Sequence, residues 1–349
     1  MRSYQVIPFQ FPFKRPGGTS RGVMTSKKSW FLRFFEEGKE AWGECSIIEG
    51  LSPDYKNDTD YEVRITDFCN QWKSRSLDPS QLSDFPSIRF GIETAERHLH
   101  TGSALSLFPS DFTEKGKGIP INGLIWMGQP EFMIQQIREK LDAGFRCIKM
   151  KIGAIEWQTE FSILRQLRSN FPADQLEIRV DANGAFQFEE ALNVLDQLHD
   201  LQIHSIEQPI KSGNTIQMKQ LCSETPCPIA LDEELIGVNS PEQKQWLLDT
   251  IQPQYIIIKP SLTGGFTGMK EWVEIAEKSN IPWWATSALE SNIGLNAIAQ
   301  YTATFANPLP QGLGTGALYT KNISSPLYIK RDELMFDKCG KFDYSLLTQ

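Results

Sequence analysis

The chain is predicted to be an α/β protein: a (β/α) barrel preceded by a small α+β domain. Three observations carry that prediction. From about residue 119 onward, short apolar runs alternate with amphipathic stretches at a spacing of roughly 25–30 residues, the rhythm of parallel strands joined by crossover helices. No strand–turn–helix carrying G-x-G-x-x-G opens the series, which argues against an open dinucleotide-binding sheet. Most of the apolar runs carry a charged residue near their C-terminal ends, where a barrel places its active site.

At 349 residues the chain is long enough for two domains and a sizeable core. Charged residues at 22% and hydrophobic ones at 40% are ordinary globular usage, so neither disorder nor a fibrous repeat is expected. With 35 Lys and Arg against 43 Asp and Glu, the net charge is −8, and no basic run is present to track a phosphate backbone. Nucleic acid is therefore excluded as a partner. The first residues lack an apolar stretch followed by a small-residue cleavage site, and no run of ~18 apolar residues occurs, so a cytoplasmic protein without membrane contact is expected. The six cysteines form no C-x-x-C pair and read as reduced, buried small hydrophobes.

The first region, residues 1–110, differs in pattern from the rest of the chain. Residues 29–48 read as a strand, a turn at Glu36-Glu37-Gly38 and a second strand. Helices are expected over 60–72 and 87–99, the second placing Ile88, Gly91, Ile92, Ala95 and Leu99 on one stripe. Thr19-Ser20-Arg21-Gly22 falls between the first two β-like segments, where a mobile loop is expected. The barrel is assigned to residues 111–310, with strands within 119–127, 146–153, 176–184, 203–210, 227–235, 255–262 and 281–291. Its helices are expected over 130–143, 157–170, 189–199, 241–250, 269–279 and 294–304. Residues 311–349 start Gly-rich and turn irregular, and are expected to leave the barrel and return to the first domain.

The charged residues on these strands need a reason. Lys149 and Lys151 are two apart on the second strand and so share a side, as do Arg179, Asp181 and Asn183 on the third. The fourth strand ends in Glu207, the fifth in Asp232 followed by Glu233 and Glu234, and the sixth in Lys259. Singly, each has an ordinary explanation: a K-x-K is usually a solvated face, and a strand-terminal Asp usually caps a helix. The four histidines fall on helices or near a strand start, where surface or core roles are expected. Jointly, corresponding ends of five consecutive strands point to one site. Asp181, Glu207 and Asp232 are hard oxygen ligands suited to Mg²⁺, with Mn²⁺ an alternative, and no Cys or His stands with them to favour zinc. A divalent ion and neighbouring lysines disfavour protonation, so one lysine can serve as a neutral base near pH 7. Three carboxylates, one divalent ion and three ammonium groups sum to about +2, which favours a small anionic carboxylate substrate. A barrel that merely binds an anion would need no lysines on opposite sides of a metal. Composition leaves the oligomeric state open.

These motifs, Lys149-Met150-Lys151, Asp181-Ala182-Asn183, Ile206-Glu207-Gln208-Pro209, Leu231-Asp232-Glu233 and Ile258-Lys259-Pro260, resemble those of the enolase superfamily and, within it, the muconate-lactonising branch. The resemblance covers the whole chain. It implies a barrel of the enolase-superfamily type with an α+β capping domain built from the N-terminal region and the C-terminal tail. That superfamily is itself the general example of a Lys or His base working with Mg²⁺ on an enediolate. Within the branch the chain is similar to the o-succinylbenzoate synthases, dehydratases of menaquinone biosynthesis, through Thr19-Ser20-Arg21-Gly22, Gly43-Glu44-Cys45-Ser46, Arg179, residues 286–291 and residues 312–316. Dipeptide epimerases carry Asp-x-Asp where this chain has Gly314-Thr315-Gly316, which argues against a cationic dipeptide substrate. N-acylamino acid racemases and muconate cycloisomerases remain the alternatives. The resemblance implies Lys151 as the base, Lys259 opposite it as an electrostatic stabiliser and Lys149 in support. It further implies that Arg179, Asn183 and Glu233 orient these groups, and that Arg21, Ser287, Gly314 and Thr315 meet the substrate.

Overall fold

The structure, a computed structural model, describes residues 1–19 and 22–348; Arg21 lies outside the described residues. In the first domain β1 (Arg2–Thr19), β2 (Gly22–Glu36) and β3 (Lys39–Ser46) form an antiparallel sheet in chain order. Glu37 and Gly38, with φ of 52° and 78°, make the tight turn between β2 and β3, since positive φ at both central residues matches the twist of the flanking strands. Helices α1 (Asp58–Ser74) and α2 (Pro86–Thr101) cover one face of this sheet. Pro86 starts α2 and Gly102, at φ 72°, ends it. The predicted stripe of Ile88, Gly91, Ile92, Ala95 and Leu99 is its buried face. Helix and strand meet at glycines: a Cβ on Gly43 would lie 1.9 Å from the Gly91 carbonyl oxygen, and one on Gly91 would lie 2.4 Å from Cys45 Sγ. No larger residue allows that approach.

After α3 (Asp111–Lys115) and the short β4 (Ile119–Pro120) comes the parallel sheet. Its strands are β5 (Gly123–Ile125), β6 (Cys147–Lys151), β7 (Glu177–Asp181), β8 (Ser205–Glu207), β9 (Ile229–Leu231), β10 (Tyr255–Ile258) and β11 (Trp283–Ala285), hydrogen-bonded in chain order. Between them run α4 (Pro130–Asp142), α5 (Trp157–Asn170), α6 (Phe188–Asp200), α7 (Thr215–Glu224), α8 (Pro241–Ile251), α9 (Pro260–Thr263) and α10 (Gly265–Lys278), and α11 (Asn292–Thr302) follows β11. Each strand lies within a predicted run. Helix α7 went unpredicted because its buried side is only Met218, Leu221 and Cys222, too narrow a stripe to show as a period.

The tail departs from expectation. Gln311 and Gly312 do not leave the barrel: Gly312 bridges to Thr286 beyond β11 and Gln311 to Ile121 beside β4, and this closes the ring of strands. A glutamine and a glycine carry no apolar signal, so the closing stave could not be read as a strand. Further on, β12 (Leu327–Lys330) and β13 (Glu333–Phe336) form a hairpin that pairs with β4, again on the barrel. The tail meets the first domain through Tyr319, stacked on Phe13 at 5.2 Å, and Tyr344, stacked on Trp42 at 4.7 Å. The cysteines are free, and Cys339 is exposed rather than buried. Among the described residues no helix is long and apolar enough to cross a membrane.

Candidate active site

Parallel pairing sets the centre of the site. Lys151 on β6 pairs with Asp181 on β7, and Asp181 with Glu207 on β8, so the three side chains stand in a row on one face. Glu207 pairs with Ala230 on β9, and Asp232 follows just past that strand's end. Lys259 occupies the matching place after β10. Period-2 geometry at the ends of adjacent strands thus gathers residues far apart in sequence, Lys151 and Asp181 by 30 positions and Asp232 and Lys259 by 27.

The ammonium groups bridge the carboxylates. Lys149 pairs with Asp181 at 2.8 Å and also with Glu207. Lys151 donates to Asp181 Oδ2 at 2.7 Å. Lys259 pairs with Asp232 and approaches Glu207 Oε1 at 3.6 Å. All six side chains are buried. Asp232 heads a short 3₁₀ turn but makes no side-chain cap, so its carboxylate is directed to Lys259 instead.

Two further residues tie this row down. Asn183 accepts from Lys151 Nζ at 2.7 Å and donates to Glu233 Oε1 at 3.0 Å, while its backbone N–H donates to Asp181 Oδ1 at 3.0 Å. Gln208 accepts from the backbone N–H groups of Asp232 and Glu234, and its Nε2 donates to Glu234 Oε2. Sequence reasoning missed Gln208 and Glu234 as supports of the site. The one available signal was a polar residue wedged between Glu207 and Pro209 at a strand end.

Arg179 is not among these supports. Its guanidinium donates to Glu177 at 2.7 Å and to the Pro310 carbonyl at 2.8 Å and lies over the Trp284 ring at 4.1 Å. Two residues earlier on the strand is two residues deeper in the barrel, away from the strand ends. Ser287 does line the site, but its hydroxyl is engaged by Glu290, donating to Oε2 at 2.6 Å.

Burial acts on every charge here and the neighbours decide the outcome. Burial pushes Lys151 down, and the nearby Lys149 and Lys259 add to that push against the pull of Asp181. Burial also pushes on Lys149, but Asp181 and Glu207 outweigh it and hold that ammonium above its ordinary range. Lys259 is likewise held up, by Asp232 and Glu207, against burial. Asp181, although buried, is kept well below the usual carboxylate range by Lys149, Lys151 and Lys259. Of the three lysines, Lys151 is the one whose surroundings favour the neutral amine.

Above this row lies a cavity of about 370 Å³. Lys149, Lys151, Asp181, Asn183 and Lys259 form its floor, and Thr286–Leu289, Gly312, Gly314 and Thr315 form one wall. The first domain supplies the cover, with Thr19, Gly22, Val23, Met24, Ile48, Glu49 and Leu51. The site is charged below and largely apolar above, which suits an anion carrying a hydrophobic body.

Among the described residues no three acidic, His or Cys side chains are drawn up at metal-binding spacing. The ammonium groups stand between the carboxylates instead. The donor set nonetheless fits a hard divalent ion: three buried carboxylates on consecutive strands, with Glu207 Oε1 making no hydrogen bond. Burial and the close Glu207 and Glu233 carboxylates also push Asp232 above its ordinary range despite Lys259, an excess of negative charge that a cation would relieve.

Residues 133–335 match the family model described as Enolase C-terminal domain-like. The chain is 45% identical to an o-succinylbenzoate synthase of Desulfotalea psychrophila, over 91% of this chain and 94% of the relative. The crystal structure of MenC from the same organism superposes with a TM-score of 0.82 at 40% identity, covering 96% of this chain and 99% of that one. An L-Ala-D/L-Glu epimerase of Bacillus subtilis is 26% identical over 86% of this chain and 83% of its own length.

Proposed function

Because this chain belongs to the enolase superfamily and, within it, to the o-succinylbenzoate synthases, we propose that it is a hydro-lyase of menaquinone biosynthesis. Its substrate is 2-succinyl-6-hydroxy-2,4-cyclohexadiene-1-carboxylate and its products are 2-succinylbenzoate and water. The observation that carries this reading is the registered row of Lys151, Asp181 and Glu207, with Lys259 closing it from the other side.

Asp181, Glu207 and Asp232 would hold Mg²⁺, with Mn²⁺ an alternative. When bound, the ion supplies stabilisation of the negative charge that develops on the substrate carboxylate. Lys149 supports that carboxylate and adds to the positive field that keeps Lys151 neutral. Lys151 Nζ takes the proton from C1, α to the carboxylate, while Asn183 holds the amine in place. The electron pair of the broken C–H bond forms the new ring double bond as the C6–O bond breaks. The departing hydroxide takes the proton from the Lys151 ammonium and leaves as water, so one residue serves as base and then acid on one face. Lys259 stays protonated on the other face and stabilises the ring electrostatically. Ser287, Gly314, Thr315 and Arg21 are assigned to the substrate's remaining surface, and Glu233 to holding Asn183. The first domain covers the cavity and excludes water from the reacting centre.

A second reading, N-acylamino acid racemisation, is favoured by one observation: lysines reach the centre from two well-separated strands, as exchange between enantiomers requires. The deciding assay monitors the purified protein with Mg²⁺ and the cyclohexadiene substrate by ultraviolet absorbance. Aromatisation with turnover supports the dehydratase reading, and no absorbance change under conditions where an N-succinylamino acid racemises replaces it with the second.

A further inference from the structure

We propose that Thr286 and Thr315, beside Asn122, form a neutral subsite at the closing seam of the barrel that receives the ketone oxygen of the substrate's succinyl arm; the proposal rests on the dehydratase reading. Three buried side-chain atoms, Asn122 Oδ1, Thr286 Oγ1 and Thr315 Oγ1, have no hydrogen-bond partner among the described residues. Their residues are 5%, 9% and 6% exposed, and all three line the one cavity above the lysines. A buried polar atom without a partner costs about 1–3 kcal/mol, so such atoms are few in native proteins and call for a ligand, a water or a strain. Elsewhere among the described residues they are scattered: on strands at Ser46 Oγ and Trp284 Nε1, in a turn at Asp54 Oδ1, and on helices at Trp272 Nε1 and Thr302 Oγ1. Here three converge on one cavity.

The seam brings them together. Thr286 follows β11, Asn122 lies between β4 and β5, and the closing residues 311–312 run between them, with Asn122 N–H donating to the Gln311 carbonyl at 3.0 Å. Glycine keeps the patch open at one point: a Cβ on Gly312 would come 2.4 Å from Thr286 Oγ1. The two hydroxyls carry no charge and can each donate to an uncharged carbonyl oxygen, whereas Asn122 Oδ1, itself an acceptor, does not bind that oxygen. The charged floor is left for the ring carboxylate. An arm held at the seam would fix the rotation of the ring, and with it which face is turned to Lys151.

The test is calorimetric binding of two product-like anions, 2-succinylbenzoate and benzoate, to the full-length protein with Mg²⁺ present. Thr286→Val and Thr315→Val, which keep shape and remove the hydroxyl, should each weaken 2-succinylbenzoate roughly three- to tenfold and leave benzoate unchanged. Thr286→Ser, which restores the hydroxyl, should recover wild-type affinity, separating the lost hydrogen bond from a packing defect. Equal affinity of both Val variants and wild type for 2-succinylbenzoate overturns the subsite, and so does a parallel loss for both anions. Either result leaves the dehydratase reading standing if wild type turns over. Absence of dehydration in wild type overturns that reading, and the subsite with it.

Discussion

Lys151 Nζ donates to Asn183 Oδ1 at 2.7 Å, and Asn183 in turn donates to Glu233 Oε1 at 3.0 Å. Asn183 has φ 47°, a left-handed conformation that Asn tolerates better than most residues and that directs its amide back across the strand end. The proposed base is thus held by a neutral acceptor as well as by a carboxylate. Asn183→Leu should lower kcat by roughly 10–100-fold, the range for supports of catalytic groups, with a smaller change in KM. The acid limb of its rate profile should also move to lower pH, since an acceptor facing the ammonium favours the protonated form and its loss favours the neutral one. A measured profile that stays in place with kcat unchanged removes Asn183 from the machinery.

The two faces of the centre should separate on mutation. Lys151→Ala is expected to abolish dehydration and solvent-deuterium exchange at C1 together. Lys259→Arg keeps the positive charge and should retain measurable dehydration while losing racemisation of an N-acylamino acid. Wild-type dehydration by Lys151→Ala would transfer the base assignment to Lys259.

Metal dependence has a readout apart from turnover. Treatment with a chelator should abolish dehydration, and added Mg²⁺ or Mn²⁺ should restore it. Mg²⁺ should also raise the Tm of the wild-type protein, because an ion bound only to the native state stabilises by mass action. Asp181→Asn, Glu207→Gln and Asp232→Asn should each lose that Tm rise. A rise of wild-type size in all three variants would place the ion elsewhere.

The first domain is joined to the barrel by a buried carboxylate. Glu44 on β3 accepts from Ser29 Oγ at 2.7 Å, from Ser291 N and Oγ at 2.9 and 2.6 Å, and from Gly294 N at 2.9 Å, at the start of α11. Glu44→Ala strands those donors and should cost about 2–4 kcal/mol in urea unfolding, from the worth of hydrogen bonds to a charged group. A loss under 0.5 kcal/mol, on the order of a surface substitution, would show that other contacts hold the domains together.

His98 gives a pH prediction. Its ring nitrogen Nδ1 accepts from the Trp42 N–H at 3.0 Å, and burial lowers its pKa from 6.5 to about 4. The unfolded chain therefore holds the extra proton between about pH 4 and 6.5. The stabilisation is fully present above that window and is lost as pH falls through it, by about 3 kcal/mol in total. His98→Gln, which keeps an acceptor, should remove this part of the pH dependence. Unfolding free energies measured at several pH values check it, and an unchanged slope would show that His98 is not the group responsible.

Local periodicity was enough to read the regular elements. Alternation on the strands and the 3.6-residue stripes on the helices made the barrel legible, and Lys149, Lys151, Asp181, Glu207, Asp232 and Lys259 stood out because charge at the end of an apolar strand is costly without a purpose. Whatever depends on a contact far away in sequence emerged only from the folded chain. Arg179 shares a side with Asp181, yet it lies deeper and engages Glu177 and Pro310. Ser287 faces the cavity with a hydroxyl already engaged by Glu290. Gln311 and Gly312 close the barrel without any apolar signal of their own, because their place is set by backbone hydrogen bonds to Pro120 and Asn122 on one side and to Ala285 and Ser287 on the other. Strand period fixes which side a residue faces, but depth along the strand and the choice among competing partners arise only when the strands are brought into register.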